Sequence, residues 1–251
     1  MDVERYLARI AYQGPRASTA DTLAALQRAH IGTVAFESLD CVASIPLSVT
    51  PEALWDKIVG RGRGGFCFEL NGLFSELLRA LGFDVTLLAA RPFWSDGIAP
   101  ERAHLTLVVS VDGERWLTDV GFGHWTPDAP LLLDDQGEQV RGARTYRIVR
   151  EGDRMRMTMG FRGEASGPAG FVLSPAPRAL DDFAEQCLAY STDPDSPFAR
   201  GGVYSLRRPD GWLTVTRNRM IRTVDGVEVE RPVANDDEWR ALLFEHFGVT
   251  V

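Results

Sequence analysis

The chain has 251 residues, a net charge of -8, and is 45% hydrophobic and 25% charged, the composition of a globular protein that can bury a core without disulfide or metal staples. The acidic balance argues against general nucleic-acid binding, and no apolar stretch approaches the roughly 20 residues that span a bilayer. Asp2, Glu4 and Arg5 interrupt the start, so no signal peptide and a cytoplasmic location are expected.

Residues 3–14 read as a first helix stopping at Gly14, and 18–34 as a second, with Ser18 and Thr19 as caps. Thr50 followed by Pro51 opens a third over 51–60. Residues 68–82 give the strongest helix, with Leu70, Leu73, Phe74, Leu77, Leu78 and Leu81 in one apolar stripe before Gly82. The period then changes to strand-length pieces over 84–91, 104–111 and 115–120. A hairpin over 145–161 turns at Gly152-Asp153. Three strands follow over 202–233, with turns at Pro209-Asp210-Gly211 and Asp225-Gly226, and 236–248 closes as an amphipathic helix. Helices first, antiparallel strands next and a mixed tail predict an α+β fold.

Cys41, Cys67 and Cys187 are odd in number and widely spaced, which fits neither a disulfide framework nor a CxxC metal site, and no metal is expected. Cys67 stands at the start of the strongest helix, where unpaired N–H groups favour a thiolate, behind Gly64 and Gly65, which would let the backbone turn and a substrate approach. His30 and His246 lie in amphipathic helices and read as structural. His104 opens a strand that reaches Asp119 through Asp112-Gly113, a strong two-residue hairpin signal. That turn pairs Val111 with Glu114 and, counting back, His104 with Gly121. His104 and Asp119 then share a face as diagonal neighbours, whereas a three-residue turn would separate them. Asp119 would orient the imidazole and His104 would take the thiol proton of Cys67. The residues alone leave a second reading open, with Cys67 in the core and His104 and Asp119 a polar cross-strand pair. Arg217, Arg219 and Arg222 are either a patch for an anionic co-substrate or a solvated strand face.

"RGGFCFELNGLF" (63–74), "AHLTLVV" (103–109), "DVGFG" (119–123), "STDPDSPF" (191–198) and "AFESLD" (35–40) resemble, in order and over essentially the full length, the motifs of the arylamine N-acetyltransferase family. The resemblance implies an N-terminal helical bundle (1–83), a central antiparallel β-barrel (84–190) and a C-terminal α/β lid (191–251) around a papain/transglutaminase-like Cys-His-Asp core. It implies a Cys67, His104, Asp119 triad that moves an acetyl group from acetyl-CoA to an arylamine or arylhydrazine by a ping-pong route. Phe36, Phe122, Gly123, His124 and Phe198 would bind substrate. No bound cofactor is implied, acetyl-CoA being a co-substrate. Glu37 and Arg63 would form a supporting ion pair, and Glu69 and Asn71 would fix the cysteine loop.

The chain departs from the family pattern at Ala35 and Ser38, at His124 and Trp125 where a further glycine is usual, and at Leu132 where arginine is usual. These departures leave open a branch of the family that closes macrolactams in ansamycin biosynthesis. There an acyl-phosphopantetheine thioester on an acyl carrier protein replaces acetyl-CoA. Thiol hydrolysis and a non-catalytic binding module that has kept the fold are the remaining readings.

Overall fold

The computed structural model describes residues 1–94, 97–162, 169–224 and 226–251. Helices α1 (Val3–Arg9), α2 (Ala20–Thr33), α3 (Leu39–Val42), α4 (Pro51–Trp55) and α5 (Cys67–Ala80) lead the chain, with strand β1 (Phe36–Glu37) between α2 and α3. A nine-stranded antiparallel sheet follows: β2 (Asp84–Trp94), β3 (Gly97–Ile98), β4 (His104–Val111), β5 (Glu114–Thr118), β6 (Leu131–Leu132), β7 (Glu138–Arg141), β8 (Arg144–Glu151), β9 (Arg154–Phe161) and β10 (Ala169–Arg178). Then come α6 (Ala184–Thr192) and α7 (Pro197–Gly201), strands β11 (Tyr204–Arg208), β12 (Gly211–Val215), β13 (Arg219–Val224) and β14 (Val227–Pro232), and helix α8 (Asp236–Phe247). The α+β reading holds.

The nine-stranded sheet runs β6-β5-β4-β2-β10-β9-β8-β7, with β3 on β2. It curls into a nearly closed barrel. The gap between β6 and β7 is spanned by a side chain: Gln139 Oε1 accepts from Leu132 N at 2.8 Å, and Gln139 Nε2 donates to Leu132 O at 2.8 Å. A carboxamide thus does what a ladder pair would do at this seam. Strands β2 and β4 are buried on both faces. Leu87, Ala89, Leu105 and Leu107 meet the helices, while Leu88, Ala90 and Val108 point into the barrel. Their runs are therefore continuously apolar rather than alternating.

Several expectations shift. Helix α1 stops at Arg9, with Ala11 left-handed (φ 52°), because the Arg9 guanidinium is drawn onto the carbonyls of Thr33, Ile58, Gly62 and Arg63. The 51–60 helix widens to a π turn over Asp56–Gly60. Strand β10 and helix α6 were not legible; Pro175 and Pro177 obscure the strand, and the register on β2 shifts between Leu173 and Pro177. The tail has four strands instead of three, because Thr216 Oγ1 accepts from Arg219 N and turns the chain between β12 and β13. The expected turns at Pro209-Asp210-Gly211 and Gly152-Asp153 fall between paired strands; Asp225 of the last one lies outside the described residues. The five-stranded sheet runs β1-β11-β12-β13-β14, so a strand from the first third of the chain forms its edge. Replacing Gln139, 5% exposed, by Leu strands the Leu132 N–H and C=O, with an expected loss of about 1–3 kcal/mol in urea denaturation.

Candidate active site

The hairpin that presents His104 follows the expected register. Val111 pairs with Glu114, Asp112 (φ 55°) and Gly113 (φ 79°) form a left-handed two-residue turn, and Leu107 pairs with Thr118. The ladder ends there, short of the extrapolated His104–Gly121 pair, because Asp119 turns the chain by accepting from Gly121 N at 2.8 Å. The parity survives: His104 Nε2 lies 2.6 Å from Asp119 Oδ2. Phe122 and Phe171 flank the imidazole at ring-centroid distances of 4.8 and 5.4 Å.

Asn71 joins this pair to the cysteine helix. Its Nδ2 donates to Leu105 O (2.7 Å) and Asp119 Oδ1 (2.9 Å), and its Oδ1 accepts from Val120 N (2.9 Å). Burial would raise the Asp119 carboxyl, but the charge and hydrogen bond of His104, with Asn71 and Gly121 N, hold it below its ordinary value. Gln27, on α2, buttresses the same turn: its Oε1 accepts from Asp119 N at 3.4 Å, and its Nε2 donates to Pro127 O at 2.7 Å. Neither Gln27 nor Phe171 was legible, since a lone amide in a helix and a phenylalanine after a glycine carry no motif.

Cys67 is the first residue of α5 and is 3% exposed. Burial pushes its thiol well above the ordinary range, against the pull of the Leu105 and Phe68 N–H groups toward thiolate. The helix start thus does not by itself make a thiolate here. The glycines before it also act differently from expectation. Neither has a positive φ; instead a Cβ on Gly64 would lie 2.2 Å from Ala35 O, and one on Gly65 2.7 Å from Glu69 Oε2. Gly64 admits the 35–37 segment, which bonds to Gly65 through Glu37 N (2.9 Å) and Ala35 O (3.2 Å), and Gly65 admits the Glu69 side chain.

Beneath Cys67 lies a buried ionic network. Arg63 binds Glu37 (2.8 Å) and Asp40 (3.0 Å), and Lys57, projected by the π turn, binds Asp40 and Glu69 (both 2.8 Å). Glu69 Oε2 also accepts from Phe66 N, fixing the residue before the cysteine. Glu69 and Asn71 therefore divide the task assigned to them, one holding the loop and the other the Asp119 turn. Three carboxyls share two cations, and burial pushes Glu69 up to about 7 despite Lys57.

Cys67 and His104 line one cavity of about 700 Å³ with Phe36, Phe122, Gly123, His124 and Phe198, so all the residues expected to bind substrate border it. Trp125, which the sequence marked as a departure from the family pattern, borders it too, and Trp94, Ile98 and Tyr190 add apolar wall that the sequence did not mark. Burial, then Arg144 and Arg219, lower His124 to about 3, so it is neutral at physiological pH. Of the three tail arginines only Arg219 borders the cavity; Arg217, Arg219 and Arg222 pair with Asp236, Glu230 and Asp210. Ser38, in place of the family's usual residue, donates to Phe198 O at 2.9 Å and so ties α7 to the site. Among the described residues no cluster of His, Cys, Asp or Glu could hold a metal ion, and no helix is long and apolar enough to cross a membrane.

A buried cysteine facing an apolar cavity beside a carboxylate-held imidazole is suited to acyl transfer. Residues 19–251 match the profile of the family described as N-acetyltransferase. The chain belongs to this family. An arylamine N-acetyltransferase of Mycolicibacterium smegmatis is 37% identical over 80% of this chain and 74% of its own. The Escherichia coli arylamine N-acetyltransferase is 32% identical over 99% of this chain and 89% of its own. The Mycobacterium marinum arylamine N-acetyltransferase, solved in complex with CoA, superposes with a TM-score of 0.90 at 33% identity, covering 99% and 93% of the two chains. This family member is accordingly an N-acyltransferase.

Two outcomes follow for the site. A Cβ on Gly121 would lie 2.8 Å from Cys67 Cα, so Gly121→Ala is expected to cost about 1–3 kcal/mol and to displace the cysteine, read by urea denaturation alongside Cys67 alkylation. Glu69 is raised from its usual 4.5, so the folded state holds the extra proton between about pH 4.5 and 7; its contribution is complete below 4.5 and is lost as pH rises toward 7. Glu69→Gln should flatten the decline in stability across that window. An unchanged slope would show that another group titrates there.

Proposed function

We propose that the protein transfers an acetyl group from acetyl-CoA to an arylamine or arylhydrazine through a thioester on Cys67, with His104 and Asp119 completing a catalytic triad. The observation that carries this reading is the 2.6 Å contact between His104 Nε2 and Asp119 Oδ2 on the wall of the cavity that Cys67 also lines. With Nε2 engaged, Nδ1 is the ring nitrogen left to take the thiol proton. The thiolate then attacks the thioester carbonyl, the carbon–sulfur bond to CoA breaks, and the CoA thiolate leaves with the proton from His104. In the second half the amine nitrogen attacks the enzyme thioester, Cys67 departs, and His104 carries the amine proton back to it. Asp119 stabilises the imidazolium in both halves. The backbone N–H of Cys67 at the helix start is the oxyanion donor in this scheme.

The names of the relatives supply the arylamine, and the CoA complex of the Mycobacterium marinum enzyme supplies the donor. A cavity walled by Phe36, Phe122, Trp125 and Phe198 suits a flat aromatic acceptor and excludes water from the thioester. The division at 83 and 190 into bundle, barrel and lid belongs to the same proposal; the barrel interior has an apolar cluster of its own, from Leu88 to Leu173, whereas the bundle's cluster runs on into the outer face of β2 and β4.

Intact mass spectrometry with acetyl-CoA tests the reading. One acetyl group should appear on the wild type, be absent from Cys67→Ala, and discharge onto an added aromatic amine. Discharge at the same rate without amine would instead mean a hydrolase, and loading only from an acyl-pantetheine carrier would mean an amide synthase. His104→Gln should slow loading by ~10²–10⁴-fold. Because burial holds the Cys67 thiol high, that residual rate should climb with pH through the alkaline range.

A further inference from the structure

Directly after His124, which stands where the family pattern has a further glycine, this chain places Trp125 on the cavity wall, and the indole is held from several sides. Its ring packs against the barrel cluster on one side. The Cζ of Arg144 lies 4.7 Å from the Trp125 ring centroid and 5.0 Å from that of Phe161. Phe161 is the direct cross-strand partner of Arg144, so the barrel register sets one aromatic neighbour of the guanidinium and the indole is the other. Arg144 is 6% exposed, and among the described residues it enters no ion pair. A desolvated guanidinium between two rings gains more from each than an exposed one. His124 lies beside the indole, tilted by 38° at a centroid distance of 4.7 Å.

The backbone beneath is equally fixed. Phe122 N donates to Thr126 Oγ1 at 2.9 Å, Trp125 N to Phe122 O at 3.2 Å, and Thr126 N to Gly123 O at 3.0 Å. The turn begins with Phe122 against the imidazole of His104 and carries His124 and then the indole along the cavity wall. A flexible side chain would yield to a bulky group. One clamped by a buried arginine does not.

We propose that Trp125, held in place by Arg144, is the wall that limits the length of the group Cys67 can carry, confining the enzyme to short acyl thioesters. Arg144 is a positioning residue in this scheme; it touches the indole and not the substrate. Cys67, Phe122 and Trp125 line the same cavity, and in this scheme a chain growing from Sγ past Phe122 meets the indole, where each added methylene must displace packed aromatic surface. The choice of acyl group rests on the acyl-transfer reading above, whereas the wall itself does not.

The test uses two probes of Cys67 in the full-length protein, compared across wild type, Trp125→Gly, Arg144→Met and Arg144→Lys. The first is alkylation by N-alkylmaleimides from methyl to hexyl, with peptide mapping to confirm Cys67; the second is acyl loading from acetyl-, butanoyl- and hexanoyl-CoA. In the wild type both rates should fall along each series. Trp125→Gly should raise the long-to-short ratio by about tenfold or more, Arg144→Met should move it the same way, and Arg144→Lys should lie between. Near-UV circular dichroism identifies any variant that has merely unfolded, and Arg144→Lys and Trp125→Gly stand if Arg144→Met does. Equal ratios in wild type and Trp125→Gly overturn the proposal, as does a change confined to the KM for the amine. Failure of every thioester to load the wild type, with the maleimide ratio still shifted, would instead remove the acyl-transfer reading and leave the wall.

Discussion

The site depends on keeping one buried carboxylate fully hydrogen-bonded. Asp119 is 2% exposed, and an ionised carboxyl at that depth is tolerable only when its oxygens are engaged. Oδ2 meets His104, while Oδ1 accepts from Asn71 and from Gly121 N. Each donor comes from a different piece of structure: the barrel strand β4, the helix α5 and the turn after β5. Satisfying the one charge therefore fixes the relative position of all three. Asn71 tightens the arrangement, because the same amide also holds Leu105 O and Val120 N. The helix that begins with Cys67 is locked to the strand that begins with His104 by polar contacts in an otherwise apolar seam.

Close approach makes that geometry possible. Gly121 lies against the backbone of Cys67, and Gly64 against the carbonyl of Ala35, at separations no side chain would permit. The charged network below works differently, through long side chains that reach in from the π turn and from β1. Burial pushes the Cys67 thiol well above the ordinary range, while the Leu105 and Phe68 N–H groups pull toward thiolate. On the proposed mechanism the thiol is unreactive until the imidazole takes its proton, which spares it from adventitious oxidation.

Much of this was legible in the residues, and the illegible parts share a cause. The Asp112-Gly113 turn has a strict local geometry, so its register, and through it the meeting of His104 with Asp119, could be counted along the chain. The leucine stripe of α5 likewise announces its own helix. Strand β10 carries no such signal: its prolines disguise it, and its place beside β2 is decided by pairing with distant residues. Gln27, Gln139 and Arg144 are ordinary polar residues until the fold puts a carbonyl, a strand edge or an indole beside them. The glycines before Cys67 were read correctly as special and wrongly as serving the substrate, because the sequence shows that room is needed without showing what fills it.

The edge position of β1 has a consequence for the order in which the molecule can assemble. Phe36 and Glu37 pair with Ser205 and Tyr204, which leave the ribosome long after the cysteine helix. Until then the 35–37 segment lacks its outer neighbour, and the loop it supports at Gly64 and Gly65 is held from one side only. Forming the site is therefore a late, long-range event on the folding path, with a large loop to close before the contacts that reward it exist. A nascent chain can bury its bundle and curl its barrel while the thiol is still unshaped for chemistry, and it becomes a finished enzyme only when its last third comes back to meet its first.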